Sequence, residues 1–308
     1  MRNSITRTLN LLRHYLQLLR PHHWIKNILV LVPLFFGRYF LDPSHIIGAV
    51  FGFICFSLLS SIIYIFNDIR DLEKDRLHSI KCHRPLPAGK ITVSNAIITL
   101  VILSLSLIAL LIVLVLSKNS LFNIKSAGLL LLYALLNIGY SLRLKNIPIV
   151  DITILASGYI IRVLFGAMII DINISVWLYL VITTGAYYLG LGKRRNEING
   201  NEKNTPPVMY SYTHNFLDKN MHVCMTLCIV FYTLWSIDPV TVKLFQTTAF
   251  VYTIPFVLII FFKYSLNVES NVDGDPTSII LNDKILLSLC VIYFICIFSI
   301  IYQKVGVS

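Results

Sequence analysis

The sequence predicts an all-α, polytopic membrane protein with about nine transmembrane helices. Three observations lead there. Of 308 residues, 56% are hydrophobic and only 13% charged, against roughly 25% charged in a soluble domain. Apolar runs long enough to span a bilayer, roughly 20 residues at 1.5 Å rise each, recur along the chain. Those runs lack the alternation of apolar and polar positions that a β-barrel strand needs.

Residues 1–23 read as a helix lying on the membrane surface. Ile5, Leu9, Leu12, Leu16 and Leu19 recur at helical spacing, and Arg7, Arg13 and Arg20 lie mostly off that stripe. Spans follow at 24–41, 45–66, 93–117, 126–142, 149–170, 174–192, 220–237, 246–265 and 283–303. The first apolar run reads as a span and not as a cleavable signal peptide. The whole chain, 1–308, is expected to form one transmembrane unit. Its six cysteines fall mostly in spans, without an accompanying His or acid cluster, and read as small buried apolar residues.

A net charge of +11 in a soluble protein would suggest nucleic acid. Here the basic residues follow topology instead. With the N-terminus in the cytoplasm, the inner segments hold all Lys and Arg except Arg38, Lys118, Lys125, Lys243 and Lys304 outside, and Arg162 within a span. That bias sets the orientation. The expected location is the cell (inner) membrane, with lipids rather than nucleic acid as surroundings; a homo-oligomer is compatible with the sequence. The outer loops are short and plain. The inner loops 67–92 and 193–219 are long and charged, and 266–282 adds Glu269, Asp273 and Asp275. Function is therefore expected at the cytoplasmic face.

The stretch NDIRDLEKDR, residues 67–76, carries the strongest chemical signal. At about 100° per residue on a helix, Asn67, Asp68, Asp71 and Asp75 fall within an arc of about 100°, and Glu73 falls on the other side. Three carboxylates and an amide on one face repel one another, the more so beside lipid. A cation relieves this, and an oxygen-only set suits Mg²⁺, which shares its shell with phosphates. A solvated acidic turn balanced by neighbouring cations is the alternative. Arg76, Lys81 and Arg84 follow closely, with Pro85, Pro87 and Gly89 shaping a rigid turn. Acids ringed by cations suit a metal-bridged polyphosphate.

NDIRDLEKDR with RPLPAG, LRPHHWIKN (19–27), YSLRLKNIPIVDI (140–152), GYIIRVLFGA (158–167), GKRRNE (192–197), KYSL and DPTSIILND (275–283), in this order, resembles the UbiA prenyltransferase superfamily. Within it, the chain is most similar to the decaprenyl-phosphate phosphoribosyltransferase branch. The resemblance implies a membrane bundle with a cytoplasmic-facing polar cavity and a Mg²⁺-dependent transferase. Asn67, Asp68, Asp71 and Asp75 would hold the metal, with the three acids at the reacting centre. A typical member has a second Asp-rich motif after the sixth span; here Lys193, Arg194 and Arg195 stand there, with Glu197. That departure, with the branch resemblance, implies phosphoribosyl pyrophosphate as donor and a polyprenyl phosphate as acceptor. An anchor at the inner surface is the plainer reading of the triplet.

Asp151 and Arg162 share a face of the fifth span, roughly 16 Å apart along it. Each either pairs with a neighbouring helix or lines a polar chamber, whose mouth would carry Tyr140 and Lys145. Lys26 and Asn27, beside Trp24, read as an interface anchor or as contacts to the acceptor phosphate. An ionised phosphate needs no general base, consistent with His22, His23 and His83 being unconvincing ones. The rival readings are prenyl transfer from a prenyl diphosphate to a small aromatic or glycerol-type acceptor, and a lipid or solute transporter.

Overall fold

In the computed structural model, residues 2–78, 81–116, 124–199, 207–270 and 275–303 are described, and they form helices and turns with no strand among them. Asp273, Lys118 and Lys304 lie outside that set, as do the side chains of Ile5 and Arg7. In order, the α-helices are α1 (Arg2–Leu19), α2 (Val32–Phe36), α3 (Pro43–Arg70), α4 (Leu72–Arg76), α5 (Val93–Leu116), α6 (Ile124–Leu142), α7 (Val150–Ile169), α8 (Val176–Asn199), α9 (His214–Ile237), α10 (Pro239–Phe245), α11 (Ile254–Ser270), α12 (Pro276–Asn282) and α13 (Lys284–Tyr302).

Among the described residues, seven helices are long and apolar enough to cross a membrane: α3, α5, α6, α7, α9, α11 with its preceding turn, and α13. The other two expected spans are built differently. Residues 24–41 break into a 3-10 run, Pro21–Leu31, followed by the short α2. Residues 174–192 fold as most of α8, a full 24-residue helix whose Tyr, Thr and Gly content lowers its hydropathy. α8 also runs on through Lys193–Glu197, which the sequence placed in a loop. Pairs at helical spacing, Lys193 with Glu197 and Arg194 with Glu197, support the extension.

Helices adjacent in sequence pack together: α3 on α5, α6 on α7, α7 on α8 and α8 on α9. Burial separates the centre from the periphery. Within their apolar windows α3 is 56% and α7 61% buried, while α5 is 11% buried. Ile97, Val101, Leu105, Ile108 and Leu116 of α5 are exposed, as a lipid-facing helix requires. Asp68 on α3 and Asp151 and Arg162 on α7 accordingly sit where protein surrounds them. One core joins Val30, Phe56, Tyr133 and Phe165 of the first half. Another joins Tyr188, Met221, Tyr264 and Leu286 of the second. α1 exposes Leu9, Leu12 and Leu16, the apolar face expected to meet the membrane. It turns Leu18 inward against Ile65, Leu86, Ile91 and Ala96.

The 3-10 run lies directly on α7, and Gly166 allows this. A Cβ there would stand 2.0 Å from the Val30 carbonyl oxygen, a backbone atom. Gly166→Ala is expected to lower stability by about 1–3 kcal/mol or more through overpacking, read as a lower thermal midpoint in detergent. An unchanged midpoint would show that the 3-10 run is free to lift off α7.

Candidate active site at one end of the bundle

The acid-bearing segment leaves the bundle at the C-terminal end of α3. The helix is interrupted at Asp71, but the bonds Asp71 N–H to Asn67 carbonyl (2.9 Å) and Asp75 N–H to Asp71 carbonyl (2.8 Å) carry the helical register into α4. Asp68 and Asp75 are buried and Asp71 half-buried.

Each acid has its own cation. Asp68 pairs with Arg20 and, at 3.4 Å, with Arg84. Asp75 pairs with Arg84 at 2.9 Å. Asp71 faces Lys145 at 3.6 Å. The Asn67 side-chain oxygen accepts from Ser141 of α6. The loop after α4 holds Arg84 in place. Pro85, Leu86 and Pro87 are buried, Ala88 N–H donates to the Arg84 carbonyl, and Gly89 takes φ +68°, a left-handed turn that suits glycine. Arg20 also sits in left-handed backbone, φ 53°, between α1 and the 3-10 run, a costly position for a non-glycine residue.

Not every sequence candidate joins this group. Arg76 is exposed and pairs with Glu73 on the opposite side. Lys81 lies half-buried in the 3-10 turn Lys81–His83, with no ion pair to the acids among the described residues.

A second cluster sits at the same end of the bundle. The Arg194 guanidinium donates to Asp151 (2.7 Å), to the Tyr140 hydroxyl (2.8 Å) and to Glu197. Tyr212 donates its hydroxyl to the other Asp151 oxygen and accepts from the Ile149 N–H. Lys193 is more open, with Glu197 at 4.0 Å. Arg195 turns away to Asp218 of α9 at 2.6 Å. The basic triplet therefore divides among three environments.

Deeper down, Arg162 has no carboxylate partner among the described residues. It donates to Asn27 (2.8 Å), to the Gly158 carbonyl and to Tyr133 (3.0 Å). Its guanidinium also lies over the Phe56 and Tyr133 rings, which favours a buried cation. Asp151 and Arg162 do not pair, as their separation along the helix requires.

Lys26 pairs with Asp275, which precedes α12. Burial pushes the Asp275 carboxyl up, but Lys26 and Lys193 outweigh it and hold the group below the ordinary carboxylate value. Sequence reasoning did not single out Arg20, Tyr212 or Asp275 as site residues. The only available signal was that Arg20 and Asp275 fall inside the motif-like segments LRPHHWIKN and DPTSIILND.

The donor set suits a hard divalent cation chemically, since Asn67, Asp68, Asp71 and Asp75 offer only oxygen. However, no three acids, His or Cys among the described residues converge on one metal-sized point. Asn67, Asp68, Asp71 and Asp75 would be the residues to hold such a cation, which keeps part of its shell for waters and phosphates.

Comparisons with known proteins agree with this architecture. The model of the UbiA prenyltransferase family matches residues 30–302. A decaprenyl-phosphate phosphoribosyltransferase of Corynebacterium glutamicum is 31% identical over 95% of this chain and 88% of its own. A protein of the same name from Mycolicibacterium smegmatis is 30% identical over 95% and 94%. Among solved structures, a UbiA homolog from Archaeoglobus fulgidus bound to DMAPP and Mg²⁺ superposes with a TM-score of 0.66 at 18% identity, covering 96% of this chain and 99% of that one.

Proposed function

The chain belongs to the UbiA prenyltransferase family and is an integral membrane transferase, and on that premise we propose that it moves a 5-phosphoribosyl group from phosphoribosyl pyrophosphate to a polyprenyl phosphate. The new bond joins C1 of the ribose to an acceptor phosphate oxygen. The bond from C1 to the pyrophosphate oxygen breaks, and pyrophosphate leaves with the electron pair.

One observation carries the reading. One acidic face, Asp68–Asp71–Asp75, lies at the same end of the bundle as Lys193 and the clamped Arg194, which stand where a second acidic motif would be needed to hold a second metal. Its own cations, Arg20, Arg84 and Lys145, are each already beside a carboxylate. Asp68, Asp71 and Asp75 would hold a metal carrying the pyrophosphate, and Arg20, Arg84 and Lys145 would then be free to donate to the phosphate oxygens, so no charge is stranded. The relatives named for phosphoribosyl transfer, at about 30% identity, support this donor over a prenyl diphosphate.

Asn67, Asp68, Asp71 and Asp75 would supply the metal's protein ligands, and a bound Mg²⁺ would neutralise charge growing on the leaving pyrophosphate. Lys145, Arg84 and Arg20 orient the donor's phosphates. Lys26 and Lys193 would meet the acceptor phosphate. Arg162, fixed by neutral partners, adds a positive field beneath them. The acceptor is already ionised near neutral pH, so positioning supplies much of the rate. The Arg194–Asp151–Tyr212 clamp holds the chamber wall. By the bias of Lys and Arg, this end of the bundle faces the cytoplasm.

The test is purified protein with phosphoribosyl pyrophosphate labelled in the ribose, a polyprenyl phosphate, and Mg²⁺ or EDTA. A labelled lipid is expected with Mg²⁺ and not with EDTA. Label transfer from a prenyl diphosphate to an aromatic or glycerol-type acceptor, with none from the ribosyl donor, would overturn the reading.

A further inference from the structure

Arg195, the member of the basic triplet that turns away, enters a cavity of its own. A space of about 110 Å³ lies between α8, α9 and α11. Arg195 of α8 lines it and bonds Asp218 of α9 through Nε at 2.6 Å. His222 of α9 and Glu269, in the last turn of α11, also line it. Both are exposed, so the cavity reaches the surface. The buried Tyr188, Met221 and Val268 close its inner side. Among the described residues, the lining therefore sets two carboxylates beside one guanidinium.

Two apolar stripes lead to this cavity. On α11, Ile259, Phe262 and Leu266 are exposed at three- and four-residue steps, and Glu269 continues the stripe three residues on. On α9, Val223, Leu227 and Val230 are exposed at the same spacing, beginning one residue after His222. Both helices are long and apolar enough to span a membrane, so the stripes meet acyl chains. The cavity lies where the stripes end in charge, at the depth of lipid headgroups. A headgroup that fits must give N–H donors to carboxylates and a phosphate to a guanidinium. An ethanolamine head does both: its ammonium has three donors, as a lysine's has, and its phosphate suits the planar fork of Arg195. A choline head has no N–H donor, and a glycerol head brings hydroxyls without a cation. Larger organic ligands need about 300–1,000 Å³, well above the space here.

We propose that this cavity binds the ethanolamine headgroup of a membrane phospholipid, with the ammonium against Glu269 and Asp218 and the phosphate against Arg195. The acyl chains lie along the exposed stripes of α9 and α11. The site stands whether or not the transfer reaction proposed above is the right one, because Arg195, Asp218 and Glu269 take no part in it.

The experiment uses the full chain in a non-ionic detergent, titrated with dioctanoyl phosphatidylethanolamine. Parallel arms use the phosphatidylcholine and phosphatidylglycerol of equal chain length, and glycerophosphoethanolamine, the same head without tails. A saturable rise in thermal midpoint is expected with the ethanolamine lipid, and one retained lipid by native mass spectrometry. The other three arms should respond at least about tenfold more weakly, through lost charge-assisted bonds or lost chain contacts. Glu269→Gln is expected to weaken the ethanolamine response by about tenfold or more, with a midpoint close to the parent's when no lipid is added. Asp171→Asn is the control. It removes one exposed acid just beyond the other end of α7, at a left-handed position, φ 52°, that asparagine tolerates. It should keep the full response. No saturable rise, an equal response to the choline or glycerol lipid or to the tail-free head, full affinity in Glu269→Gln, or an equal loss in Asp171→Asn would overturn the proposal.

Discussion

Asp71→Asn is expected to cut transfer by about 10²–10³-fold, the scale seen when one well-placed electrostatic stabiliser is lost, while the protein inserts and folds normally. Asp71 is the right acid to replace. It is half-buried at the turn between α3 and α4, and among the described residues its side chain pairs only with Lys145, at 3.6 Å. The backbone bonds that carry the helix through this turn do not involve the side chain. Asp75 is a poorer choice, because it is buried and holds Arg84; its loss would disturb the loop as well as the chemistry. The measurement is kcat/KM for the labelled donor across a Mg²⁺ series, with a thermal midpoint alongside. Activity within a few fold of the parent at every Mg²⁺ concentration would remove Asp71 from the metal-binding set.

Arg194→Met is expected to destabilise the fold by about 3–5 kcal/mol, because it strands a buried charge. Asp151 is 0% exposed and Arg194 3%. Tyr212 alone would then remain to compensate the carboxylate. Adding Asp151→Asn to Arg194→Met should recover much of the loss, since both charges then leave together. Lys193→Ala provides the contrast. Lys193 is partly exposed, with Glu197 only at 4.0 Å, so its loss should leave stability nearly unchanged and raise the acceptor's KM. A normally stable Arg194→Met protein with only a raised KM would show that Arg194 is a phosphate ligand and not a clamp.

Hydropathy made the bundle legible because a membrane span must be long, apolar and internally hydrogen-bonded. The broken first span was not legible. A 3-10 run and an α-helix can share the same apolar composition, and the residue that admits the run onto α7, Gly166, lies over a hundred residues downstream. The acidic face was readable because its spacing is local and helical, and it kept its register across the interruption at Asp71. Arg76 shows the limit of that logic. Nearness in sequence suggested a phosphate contact, but Glu73, three residues before it, holds it on the other side. Arg20, Tyr212 and Asp275 owe their places to partners far away in sequence, and nothing in their neighbourhoods marks those pairings.

The Lys26–Asp275 pair has a consequence for the protein's biogenesis. Its members are 249 residues apart. At about 5–20 residues per second, a ribosome needs roughly ten to fifty seconds to deliver the aspartate after the lysine has emerged. Throughout that interval the lysine waits at the bilayer without its counter-charge. The Lys26–Asp275 pair therefore closes only near the end of translation, after most of the spans have inserted.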